Sequence, residues 1–238
     1  MIHLDMHAQP TDETCGATCL HAVYRYYGLN IPLDHVISSV DRSASGGTLS
    51  PLLGKHALLE GFSANIYVND LTIFDPTWFK NGKADRAALC AKLEAQIECK
   101  PDLGIVQTSL AYMQYLKLGG NVQFRTISVP LLKLYFKKSI PILTGLSATY
   151  LYSSARELYT EKGISFYDDV RGTPCGHFVV LCGYDEENKH IFVVDPLREN
   201  PFSHNNYYTV SSHRLINAIL LGVFTYDANL LIIQPKGI

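Results

Sequence analysis

The chain has 238 residues, 47% of them hydrophobic and 18% charged, with a formal net charge of −2. That length and apolar content support a packed core without disulfide or metal staples, and the lack of a basic excess leaves no source of attraction to nucleic acid or anionic membranes. Six cysteines, Cys15, Cys19, Cys90, Cys99, Cys175 and Cys182, are too sparse for a disulfide scaffold and read as reduced thiols; with no basic-then-apolar N-terminal segment, a cytoplasmic location is the default expectation.

In chain order, the stretch CGATCLHAVYRYY over 15–27 carries apolar side chains at helical spacing, with Thr14 as N-cap and Gly28 as stop, and with His21 and Tyr24 off the apolar stripe. A second helix is expected over 49–60, ending at Gly61, followed by a strand over 63–68. Further helices are expected over 85–98 and 131–138, with a strand over 140–144. The segment 147–173 is polar and tyrosine-bearing without periodicity, and reads as a long loop or lid. Tyr112, Tyr115, Tyr150, Tyr152, Tyr159 and Tyr167 are assigned to packing or surface. GHFVVLCGYD, a polar turn over 186–189 and HIFVVDP form an antiparallel hairpin. The apolar stretch 215–233, broken by Asn217, Asp227 and Asn229, reads as buried strands rather than a membrane span. Helices first and strands later predict an α+β fold, one domain over 1–238, with a helical layer packed on an antiparallel sheet.

A cysteine becomes a useful nucleophile when its thiolate is stabilised, and a helix start supplies unpaired N–H groups and the positive end of the dipole. Cys15 stands at such a start, with Gly16 and Ala17 leaving room for a substrate carbonyl. His177 opens an apolar strand, where a sheet edge holds its ring rigidly, and Asp195 closes the next strand before Pro196. If the hairpin turns about Glu187, the two lie close together and share a face in one of the two possible register parities. A carboxylate in that place fixes the imidazole tautomer and steadies the imidazolium, which steadies the thiolate. Gln9, six residues before Cys15 in a polar loop with Pro10, offers an amide donor to an oxyanion alongside the Cys15 N–H, worth on the order of 3 kcal/mol. A zinc set of Cys15, Cys19, Cys175 and His177 lacks the tight paired spacing of such sites, and no metal or other cofactor is expected.

The run QPTDETCGATCLHAVYRYYG over 9–28 resembles the opening of the double-glycine leader peptidases, the cysteine peptidase domains of bacteriocin exporters in the papain-like clan. The likeness continues more loosely through GGTLSPLLGKHALLEGFSANIY over 46–67 and SIPILTG over 139–145, and most clearly in GHFVVLCGYD and IFVVDP. It implies a papain-like fold with Gln9 as the oxyanion residue, Cys15 as nucleophile, His177 as base and Asp195 as its partner. Exporter domains are shorter and fused to membrane and ATPase regions, so the added length here falls around 68–129 and 147–173. The expected activity is that of a cysteine peptidase or amidase acting on a peptide or amide bond through a thioester, with a peptide precursor or an acyl-acceptor amine as partner. An acyl or aminoacyl transferase using the same residues is the alternative, and a non-catalytic peptide-binding module is a third reading. The module is disfavoured because all four chemical positions hold competent residues.

Overall fold

The computed structural model describes residues 1–43, 46–159 and 165–237. The first half carries helices α1 (Cys15–Tyr26), α2 (Leu33–Ser39) and α3 (Ser50–Leu59), strand β1 (Phe62–Val68), helices α4 (Arg86–Cys99) and α5 (Leu103–Lys117), and strand β2 (Asn121–Phe124). The second half carries α6 (Val129–Phe136), β3 (Ile142–Ser147), α7 (Ala148–Tyr152), β4 (Glu157–Tyr159), β5 (Ser165–Tyr167), β6 (Gly176–Asp185), β7 (His190–Val194), β8 (Tyr207–Ser211), α8 (Ser212–Leu220) and β9 (Asn229–Pro235).

The architecture is α+β. A seven-stranded sheet in the order β2-β1-β9-β3-β6-β7-β8 lies between two helical layers, and every pairing in it is antiparallel except β1 with β2. Strand β6 is buried on both faces, and its side chains divide by alternation. Phe178, Val180 and Cys182 join Leu20 and Val23 of α1 and Leu53 of α3, whereas Val179 and Leu181 join Leu132 of α6 and Leu215 and Ile219 of α8. Each such buried Leu, Ile or Val contributes about 1.5–3 kcal/mol.

Several expectations change. Ten of the twelve residues of α1 are buried, including Tyr24, whose hydroxyl is hydrogen-bonded to His56 Nδ1 at 2.8 Å. A helix enclosed on all sides has no outward stripe for His21 and Tyr24 to occupy. The stretch 215–233 is not all strand: Leu215, Ala218 and Ile219 form the buried face of α8, and only its end belongs to β9. The expected lid over 147–173 holds α7 and the β4–β5 hairpin, and its residues 160–164 lie outside the described residues. The strand expected over 63–68 is present as β1, and it joins the sheet by pairing with β9 from Phe62↔Pro235 to Val68↔Asn229. Among the described residues no helix is long and apolar enough to cross a membrane.

Candidate active site

The site is built where the N-terminus of α1 meets the sheet edge at the start of β6. Thr14 stands at the N-cap, as its spacing predicted, but its hydroxyl donates to Thr11 O at 2.8 Å and accepts the Thr11 N–H at 3.1 Å instead of capping α1. The usual side-chain bond to the first turn is therefore missing. Among the described residues the first-turn N–H groups of Cys15, Gly16 and Ala17 have no acceptor, so they stay available to an anion beside the Cys15 sulfur. Gly16 also has a packing reason to be small: a Cβ there would lie 2.6 Å from Thr48 Cγ2 and 3.1 Å from the Phe178 ring. The missing side chain lets α1 pack closely on its neighbours.

The parity of the β6–β7 hairpin is set by a bulge. Near the turn, Asp185 pairs with His190, Tyr184 with Ile191 and Gly183 with Phe192; past Cys182, Leu181 pairs with Val193 and Val180 with Val194. Continued without the bulge, the first register would set His177 opposite Arg198 and turn Asp195 to the other face. With the bulge, His177 falls level with Leu197 and shares a face with Asp195. The Cys182 carbonyl accepts the Ile2 N–H at 2.8 Å, so the N-terminal segment fastens the bulge.

The two side chains meet as expected. His177 Nε2–H donates to Asp195 Oδ1 at 2.8 Å, which leaves Nδ1 unspent, and Cys15 lies near enough to the ring to help raise the imidazole. Asp195 is fully buried and its acceptor sites are filled: Oδ1 also takes the Leu197 N–H at 2.8 Å, and Oδ2 takes the Tyr152 hydroxyl at 2.5 Å and the Tyr208 hydroxyl at 2.7 Å. Burial pushes the Asp195 carboxyl up, yet the His177 charge, its hydrogen bond and the two tyrosine hydroxyls prevail and hold it below the usual carboxylate range. Burial pulls His177 down, and the Asp195 charge, the bond to it and the contact with Cys15 outweigh that, raising the imidazole well above its ordinary value.

Gln9 arrives on an extended N-terminal strap in which Ile2, Leu4 and Met6 are buried alternately. Tyr207 holds the strap, its hydroxyl donating to Leu4 O and accepting the Met6 N–H, both at 3.3 Å. The Gln9 N–H then donates to Pro196 O at 2.9 Å, next to Asp195. Its side-chain Nε2 donates to Thr11 O at 3.2 Å, and its buried Oε1 has no partner among the described residues.

The other thiols differ. Cys19 is buried with its sulfur 3.3 Å from Phe178 O, and burial raises its thiol well above the ordinary value. Cys175 is pushed up to about 12 by burial and the nearby Glu157 carboxylate. Among the described residues no group of three or more His, Cys, Asp or Glu could hold a metal ion.

The tyrosine pair is what the sequence reading missed. Tyr152 reads in the sequence as a packing or surface residue, and the sequence reading does not single out Tyr208. The available signal was chemical, since a tyrosine on the inward face of a strand carries a hydroxyl that needs a partner.

No protein-family model and no curated protein matches the chain. Solved structures similar to this chain include the following three. A double-glycine motif protease from an AMS/PCAT transporter, in complex with the leader peptide, is 15% identical, with 99% of this chain and 94% of that chain covered at a TM-score of 0.42. A putative C39-like peptidase from Bacillus anthracis is 17% identical, with 97% and 94% covered at 0.43. Xylellain, a cysteine protease from Xylella fastidiosa, is 14% identical, with 96% and 82% covered at 0.41. At such distances the role of each residue rests on its own geometry.

Proposed function

We infer that the chain is a papain-like cysteine hydrolase that cleaves a peptide or amide bond through a thioester, acting as one catalytic unit. The observation that carries the reading is the buried His177–Asp195 pair, bonded at 2.8 Å, whose imidazole is raised in part by Cys15, with the first turn of α1 left uncapped beside the sulfur.

Asp195 keeps His177 protonated at Nε2 and favours the imidazolium, which faces Cys15 through Nδ1. The Cys15 sulfur attacks the amide carbonyl, the S–C bond forms and the carbonyl π pair moves onto oxygen. The Cys15 N–H and a side-chain N–H of Gln9 stabilise that oxyanion; Gln9 does so by turning Nε2 away from Thr11 O when substrate enters. As the tetrahedral adduct collapses, the C–N bond breaks and His177 Nδ1–H protonates the departing amine. Water then adds to the thioester while His177 takes its proton, releasing the acid and restoring the thiolate.

The test is alkylation by iodoacetamide at neutral pH, read by intact mass and peptide mapping. Cys15 is expected to react at least about tenfold faster than the exposed Cys99, and the fast adduct is absent from Cys15→Ala. Equal rates at the two cysteines would sink the catalytic reading.

A further inference from the structure

On the α7–α8 side of the sheet an open groove of about 570 Å³ runs past the start of β6. Its lining includes Ser147, Thr149, Tyr150, Arg156, Arg214 and Phe224 and, among the described residues, no acidic side chain. The groove shares a wall with the site. Ser147 pairs with Gly176 in the β3–β6 ladder, the Ala148 N–H donates to Cys175 O at 2.9 Å, and the Cys175 N–H donates to Thr149 Oγ1 at 2.9 Å. Cys175 and Gly176 are the two residues before His177, so the groove wall runs directly into the strand that carries the candidate base.

Two guanidinium groups face this space without a counter-charge among the described residues. Arg214 is pinned along one edge, with Nε donating to Leu151 O at 2.7 Å and Nη2 to Ser153 Oγ at 2.6 Å. Its guanidinium also lies over the rings of Tyr150 and Phe202, at 6.0 and 5.8 Å. Its Nη1 is unspent among the described residues. Arg156, exposed at the rim, donates through Nη2 to Asp169 O. Neither forms an ion pair among the described residues, whereas Arg25, Arg42 and Arg171 each have a carboxylate partner. A half-buried arginine fixed by neutral acceptors has lost part of its side-chain freedom before any ligand arrives, and its planar N–H edge matches a carboxylate.

We propose that this groove is a carboxylate subsite, so that the preferred substrates carry an acidic group within a residue or two of the scissile amide. The proposal rests on Cys15 being the nucleophile. A carboxylate reaches such a site either as an acidic side chain or as the free end of a peptide.

Three chloroacetyl dipeptides separate these sources: chloroacetyl-Gly-Gln amide, chloroacetyl-Gly-Glu amide and chloroacetyl-Gly-Gln free acid. Each alkylates Cys15 by displacement, the sulfur forming a bond to carbon as chloride leaves, and intact mass gives the rate. At least one acidic probe is expected to react about tenfold faster than the neutral one, against the chain's own net charge of −2. An advantage for the Glu amide alone assigns the side-chain carboxylate, and one for the free acid alone assigns the chain end. Arg156→Gln and Arg214→Gln should each reduce that advantage at least threefold, and Arg156→Glu should reverse it. Because Arg214 also holds α7, the exposed Arg156 keeps the test decisive if the Arg214 variant folds poorly. Equal rates for all three probes, or an acidic advantage that survives in both arginine variants, overturns the subsite. Iodoacetamide does not extend into the groove and reports separately on Cys15, so failure of the nucleophile is distinguishable from failure of the subsite.

Discussion

Two carboxyls are buried at the same edge of the sheet, on either side of the strand that carries His177, and their protons are held in opposite ways. Asp195 follows β7 and Asp227 precedes β9, whose Asn229 pairs with Gly145 of β3. Asp227 Oδ1 accepts the Ser50 N–H at the start of α3 at 3.1 Å and Asn229 Nδ2–H at 3.2 Å. Burial pushes Asp227 up to about 7; the neutral donors offset part of this, and the nearby Asp70 adds repulsion. Asp195 is equally buried, yet an imidazolium and three further donors keep it below the usual range. Burial acts with the same sign on both. What separates a structural carboxyl from one suited to steer an imidazole is a charged partner together with a full set of donors.

The largest expected effect comes from removing the charged partner of His177. Asp195→Ala strands the hydroxyls of Tyr152 and Tyr208 and the Leu197 N–H in a buried space and leaves His177 unpaired, at a cost of about 3–5 kcal/mol. Alkylation of Cys15 should fall by at least about 100-fold. The pH dependence has a definite sign. Asp195 contributes stability present above its ordinary 3.8 and lost as pH falls through its lowered value. His177 contributes stability present below 6.5 and lost as pH rises through its raised value. The pair therefore supplies most between 3.8 and 6.5, and urea melts across pH should show that plateau in the parent chain but not in Asp195→Ala. A variant that loses stability while Cys15 still labels at the parent rate would separate Asp195 from the chemistry.

Asp227→Asn probes the other carboxyl. A carboxyl whose folded value is raised loses stability as pH climbs from 3.8 towards 7, because only the unfolded chain releases its proton freely over that range. Asparagine has no such slope, so the variant should gain on the parent as pH rises, by up to about 4 kcal/mol above pH 7. Labelling of Cys15 should stay within about twofold of the parent, since no step of the proposed cycle uses Asp227. A fall of tenfold or more would make the two carboxyls one functional unit and end the contrast.

Much of this edge was legible in the sequence, and the rest was hidden for identifiable reasons. Cys15, its helix and the stop near Gly28 follow from spacing, and the hairpin follows from two apolar runs around a polar turn. The bulge at Cys182 was not legible, because a single extra residue in a run that is apolar on both faces leaves no break in the pattern. α8 was misread for a related reason: short apolar runs fit a buried helix or a buried strand, although Leu215, Ala218 and Ile219 do recur at helical spacing. Tyr152 and Tyr208 lie 43 and 13 residues from Asp195, and only the folded sheet brings them to its Oδ2.

Those two hydroxyls allow the finest test of the contrast, because removing them takes Asp195 part of the way towards the surroundings of Asp227. Tyr152→Phe and Tyr208→Phe each delete one donor to Oδ2 and leave His177 and Leu197 bound to Oδ1. Each should cost about 1–3 kcal/mol of stability. A purely structural tyrosine would do the same, so stability alone decides nothing. The distinguishing readout is the pH profile of Cys15 alkylation. Without a hydroxyl the carboxylate loses a group that favours its charged form, its proton affinity rises, and the acid limb should move to higher pH. The double variant should move it further and lower the plateau rate by less than about tenfold, because the Asp195–His177 bond remains. A double variant that melts earlier yet keeps the parent profile would show that the hydroxyls only fill space around Asp195, leaving His177 alone to hold the carboxylate in its charged form.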